Sequence, residues 1–147
     1  MPDQIEMRLD GGEELLAAIR DADIALRAVL RAAVLEGAQV VADNANSQAP
    51  GPHIIAKVTE SSSSGAEASI GPDADHWYYR FFETGAVVHE IEGNPLLWFE
   101  GRNGLVRAAS AQHPGMPAQP FLRPAHDTTI DEQRDAVGNR LRAALPT

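Results

Sequence analysis

The chain has 147 residues and a mass of 15.8 kDa, enough for one domain on a prior of roughly 100 to 200 residues each and too little for two enzyme-sized lobes. Twelve Lys plus Arg against 21 Asp plus Glu give a formal net charge of −9, a field that repels phosphate backbones and anionic membranes. The absence of cysteine excludes a disulfide framework, a thiolate metal site and a cysteine nucleophile.

Met1 to Leu16 carries six charged side chains, from Asp3 to Glu14, and lacks the apolar centre of a secretory signal. No stretch approaches the ~20 apolar residues of a membrane span, so a cytoplasmic protein with no membrane partner is expected. Ile5, Met7 and Leu9 alternate with charges ahead of Gly11-Gly12 and read as a short strand. Glu13 to Arg20 reads as a short helix; Asp21 to Asp23 would interrupt it or cap the next helix. From Asp23, the spacing of Leu26, Leu30, Ala33, Gly37, Val40 and Asn44 predicts the longest helix, with an Asp23 to Arg27 pair on its surface. Ala49-Pro50-Gly51-Pro52 should end it, because proline disfavours helical geometry in its predecessor and lacks an N–H.

Ile54 to Thr59 and Ala66 to Ile70, separated by Ser61 to Gly65, predict two strands joined by a polar loop. Trp77 to Glu83 holds five of the eight aromatic residues and is the expected anchor of the core. Val87 to Ile91, Leu96 to Phe99 and Leu105 to Ala109 read as further strands. The last two should meet at a tight Asn103-Gly104 turn as a projecting hairpin. His113 to Pro120 is too rich in proline for regular structure. A terminal helix begins near Pro124, its face marked by Ile130, Val137, Leu141 and Leu145. The fold class is therefore α+β, with a long N-terminal helix and a C-terminal helix packed on a central antiparallel sheet.

The residues offer little obvious chemistry. The five histidines, His53, His76, His89, His113 and His126, lack the His-Glu-x-x-His spacing of a helical metal site, and read as surface or capping side chains. No Gly-x-Ser-x-Gly elbow or phosphate-cradling glycine loop occurs. Glu83, beside the aromatic cluster, would serve as a general acid if desolvation raised its pKa. The favoured reading is a carboxylate paired with Arg80 or capping a backbone turn, since no second catalytic carboxylate is visible. Aromatics around Arg80 would also suit base stacking, but with a single lysine, Lys57, and a net negative charge, core packing is the favoured reading.

Two stretches carry a resemblance. Trp77-Tyr78-Tyr79-Arg80-Phe81-Phe82-Glu83-Thr84-Gly85 and His113-Pro114-Gly115-Met116-Pro117-Ala118-Gln119-Pro120-Phe121-Leu122-Arg123-Pro124-Ala125 resemble signatures of the gene-product-ten-like tail-component family of long-tailed bacteriophages. The long helix ending at Ala49-Pro50 and the terminal helix extend the resemblance over most of the chain.

The resemblance implies a non-enzymatic neck subunit of a phage or prophage that completes the tail and joins it to the head. It implies a homo-oligomeric ring, expected to be hexameric, between a head connector or stopper and a tail tube or tail terminator. DNA would pass through its lumen without specific binding, and the protein would reside in the virion after assembly in the bacterial cytoplasm. Tyr78, Tyr79, Phe82, Glu83, Gly85, His113, Pro114, Gly115, Pro120, Phe121, Leu122, Arg123 and Pro124 are the expected structural and assembly residues. Tyr79 and Phe82 would support the sheet, Phe121 and Leu122 would anchor the terminal helix, and Arg123 would bond a carboxylate such as Glu83 within or between subunits. No catalytic, cofactor-binding or metal residue is assigned. The competing reading is a small hydrolase or metal-dependent enzyme using Glu83 and a histidine.

Overall fold

The structure, a computed structural model, describes residues 12–144; the expected strand at Ile5 to Leu9, and Leu145, lie outside these. Helix α1 runs unbroken over Gly12–Gln48, about 55 Å at 1.5 Å per residue. The interruption expected at Asp21 to Asp23 does not occur. Neither glycine nor proline stands there, aspartate costs a helix only a few tenths of a kcal/mol, and Asp23 meets Arg27 at 2.9 Å. Strands β1 (Ile54–Ser61) and β2 (Ala66–Pro72) form an antiparallel hairpin. A 3-10 turn (Ala74–His76) and the short helix α2 (Tyr79–Thr84) follow. Next come β3 (His89–Gly101) and β4 (Gly104–His113), then α3 (Leu122–Thr128) and α4 (Ile130–Ala144).

The α+β class, the long helix, the terminal helical region and the hairpin arm are all present. Among the described residues, however, the strands make two separate two-stranded sheets and not one central sheet. The first hairpin packs against α1, whereas β3 and β4 pack chiefly on each other. Val87 and Val88 precede β3, and the two strands expected between Val87 and Phe99 merge into one. The register slips between Glu92 and Leu97, so the residues around Pro95 form a bulge within a strand and not a turn between two. At the hairpin tip only Gly104 takes a positive φ, +110°, while Asn103 stays in the ordinary region.

The core lies at the C-terminal end of α1. Val41, Ala42 and Ala45 pack with Ile54, Tyr79, Phe121 and Ala125, flanked by Ile70, Phe82 and Leu122. The buried stripe is thus rotated from the one expected: Ala33 and Gly37 are on it, but Leu26 is exposed and Val40 and Asn44 are half-buried. Small residues form this stripe because neighbours come close; a Cβ on Gly37 would lie 2.8 Å from Val137 Cγ2 of α4. Asn46 sets the first hairpin against the helix. Its amide donates to Ile54 O and accepts from Ile54 N, both at 2.8 Å, as a neighbouring strand would.

The terminal helix is two helices, parted at the buried Thr129, whose hydroxyl donates to Ala125 O at 2.6 Å. Val137 faces Gly37 of α1 and, like Leu141, is half-buried, but Ile130 is 37% exposed beside the break.

Gly37→Leu should push α4 away from α1 and lower stability by about 1 to 3 kcal/mol. Asn46→Ala strands two backbone groups of the buried Ile54 and should cost on the order of 2 kcal/mol or more. Both are read from urea unfolding midpoints, and a loss near zero would contradict the respective contact.

Candidate functional site

The two stretches that carry the resemblance meet in space. Helix α2 ends at Gly85, where φ is +74°, and a Cβ there would lie 2.9 Å from Met116 O and Ala118 N. Only glycine combines that torsion with so close an approach of two backbones. Gly115, at φ +76°, plays the same part from the other side, since a Cβ would collide with Ala86 O. Ala86 and Met116 exchange reciprocal backbone bonds of 2.9 Å, and Gln119 N donates to Phe82 O at 2.7 Å.

Glu83 completes the junction. One carboxylate oxygen accepts from Phe121 N at 2.7 Å and Leu122 N at 2.9 Å, and the other from Arg123 N at 3.3 Å. These are the unpaired N–H groups that open α3, and a carboxylate there also meets the positive end of the helix dipole. Burial pushes the Glu83 pKa up, but the three N–H donors and the nearby Arg123 charge outweigh it, and the carboxyl sits below its ordinary 4.5. The raised pKa that a general acid needs is therefore absent. The cleft beside it, lined by Glu83, Thr84, Pro120, Arg123, Pro124 and Asp127, contains no histidine to act with it. Arg123 reaches Glu83 through its backbone, where a guanidinium contact was expected. Arg80 lies over the rings of Trp77 and Phe81, at 5.1 and 4.8 Å, and not against Glu83.

The aromatic segment divides by helical facing. Tyr79 is buried and packs edge-on to Phe82 and Phe121, at 5.8 and 6.4 Å. Phe121 and Leu122 hold α3 to the core as expected. Trp77, Tyr78 and Phe81 are 55%, 41% and 37% exposed, so the segment as a whole is not a core anchor. Its outer half, with Arg80, is a surface ledge. Pro114 lies between the end of β4 and Gly115, Pro124 lies in the first turn of α3, and His113 Nδ1 accepts from Gly115 N at 3.1 Å while its ring lies 5.0 Å from His89.

A second cluster joins residues from three segments. His53 precedes β1, Asp73 follows β2, and His76 closes the 3-10 turn that Asp73 caps. The two imidazoles stack with centroids 3.3 Å apart and planes 12° off parallel. Both Nδ1 atoms face the Asp73 carboxylate, at 3.3 Å from His53 and 2.6 Å from His76. The His76 hydrogen bond, opposed by burial, holds the Asp73 carboxyl below its ordinary range. Sequence reading missed this cluster because its members follow no single-helix spacing. The visible signal was Asp73-x-x-His76 beside a hairpin whose other end starts at His53.

Glu83→Ala should destabilise the chain by about 1 to 2 kcal/mol, as loss of a cap does. The carboxyl binds its proton more weakly when folded, so its contribution is full above pH 4.5 and is lost as pH falls through the lower folded value. The wild type should therefore lose more stability on acidification than Glu83→Gln; equal acid sensitivity in urea titrations would contradict the cap. Comparison with protein-family models, curated proteins and solved structures finds no match.

Proposed function

We propose that this chain is a non-catalytic structural subunit that assembles with copies of itself into a ring in a bacteriophage or prophage neck, completing the tail and joining it to the DNA-filled head. The observation that carries this reading is the apolar surface a single chain leaves bare on its two projecting elements. On α1, Leu15, Leu16, Ile19, Ile24 and Leu26 are 46% to 65% exposed. On the arm, Leu96, Trp98 and Leu105 are 44%, 58% and 64% exposed, and Phe99 and Val106 on the opposite face are also open.

Such patches mark protein contact, and a two-stranded hairpin with neither face packed is marginal on its own. A heterologous contact, in which one copy's arm lies on the next copy, closes a ring when the rotation allows. The resemblance of the two interlocked stretches supplies the place, the neck, and the neighbours, a head connector or stopper and a tail tube or terminator. The acidic balance suits a lumen that DNA crosses without adhering.

Particles produced without this protein should appear in electron micrographs as full heads separate from tails. Trp98→Asp with Leu105→Asp should give the same picture while circular dichroism of the purified variant stays native. Intact particles in either case would overturn the proposal.

A further inference from the structure

We infer that His53, Asp73 and His76 form a three-ligand site for one first-row divalent transition ion, with Zn²⁺ as the simplest occupant. Their donor atoms all lie within 4.8 Å of one another. Bonds of about 2.0 to 2.2 Å at tetrahedral angles place neighbouring ligands about 3.3 Å apart. The His53 Nδ1 to Asp73 separation, 3.3 Å, has that length, and the His76 contact, 2.6 Å, is shorter. Two imidazoles bound at a tetrahedral angle keep their centroids about 5 Å apart, so the stacked rings, 3.3 Å apart, must swing apart to bind the ion. Two imidazole nitrogens and one carboxylate oxygen suit zinc, cobalt or iron; magnesium and calcium demand oxygen donors.

The frame around the donors is fixed independently of them. Asp73 N donates to His53 O at 2.9 Å, and His76 N donates to Asp73 O at 3.2 Å, so the three backbones are already tied. Tyr79 stands edge-on to both imidazoles, at 5.8 and 5.5 Å. Gly51 keeps the outer edge of His53 clear, since a Cβ there would press to 3.1 Å from its Cδ2. The side chains are 35%, 29% and 25% exposed, which leaves a way in for the ion and room for water as the remaining ligand. The ion would pin the start of β1 and the end of β2 to the turn that delivers Tyr79 to the core, a structural role separate from ring assembly.

The test is titration of the metal-stripped full-length chain with Zn²⁺ against a chromophoric chelator. One ion should bind per chain and raise the melting midpoint, with no rise from Mg²⁺ or Ca²⁺. His53→Gln and His76→Gln should each weaken uptake by roughly tenfold or more, while His89→Gln and His113→Gln leave it unchanged. X-ray absorption of the Co²⁺-loaded wild type, which needs no variant to fold, should report two imidazoles. No uptake, uptake indifferent to His53 and His76, or fewer than two imidazoles would overturn the site.

Discussion

Three backbone N–H groups at the start of α3 have no helical partner, and one carboxylate, Glu83, takes all of them. That interaction spans 38 to 40 residues of sequence, so it ties the aromatic half of the chain to the terminal helices. The reciprocal bonds of Ala86 and Met116 and the glycines at 85 and 115 are consequences of the same approach, since two backbones brought this close exclude any Cβ. Phe121 and Ala125 then reach Val41, Ala42 and Ala45, and α4 follows along α1. A charged group fulfils this role because its bonds to N–H donors are stronger than neutral ones, which offsets the loss of solvation on burial.

The junction divides the molecule into an anchored end and a bare one. Side chains from α1, β1, α2 and α3 share one small core. Beyond it, about seventeen residues of α1 and the β3–β4 arm carry apolar side chains outward. A lone hairpin is marginal in water, and the apolar side chains on this part of α1 are exposed in the isolated chain, so in the proposed assembly contacts between copies would stabilise both. Arg107 over Trp98 at 3.9 Å and Arg80 over Trp77 cover part of the aromatic surface in the isolated chain, and guanidinium groups are easily retained at an interface.

Much of this was legible in the sequence. Proline at 50 and 52 marks the end of α1, the Ser61 to Gly65 run marks the first hairpin loop, and Gly104 marks the tip of the arm. What was not legible depended on partners distant in sequence. The α1 stripe is rotated because Val137 and Phe121 select small residues, which apolar periodicity alone does not rank. Asn46 gave no signal because its role is to pair with Ile54. Glu83 was legible as a carboxylate that caps a backbone turn, but that the turn is the start of α3, 38 to 40 residues further on, required the fold. At the break, Thr129 turns its N–H to His126 O and its hydroxyl to Ala125 O, and the hydroxyl bond is open to any threonine in a helix, so the residue type alone did not mark the position.

The central claim is that the arm and the first half of α1 are surfaces made to be covered by other subunits. Hydroxyl-radical footprinting, comparing the isolated chain with the particles that carry it, tests this most directly. Labelling of Trp98, Leu105, Leu15 and Leu16 should fall sharply in the particle while the already buried Tyr79 and Phe121 change little. Equal labelling of the arm and of α1 in both states would contradict it.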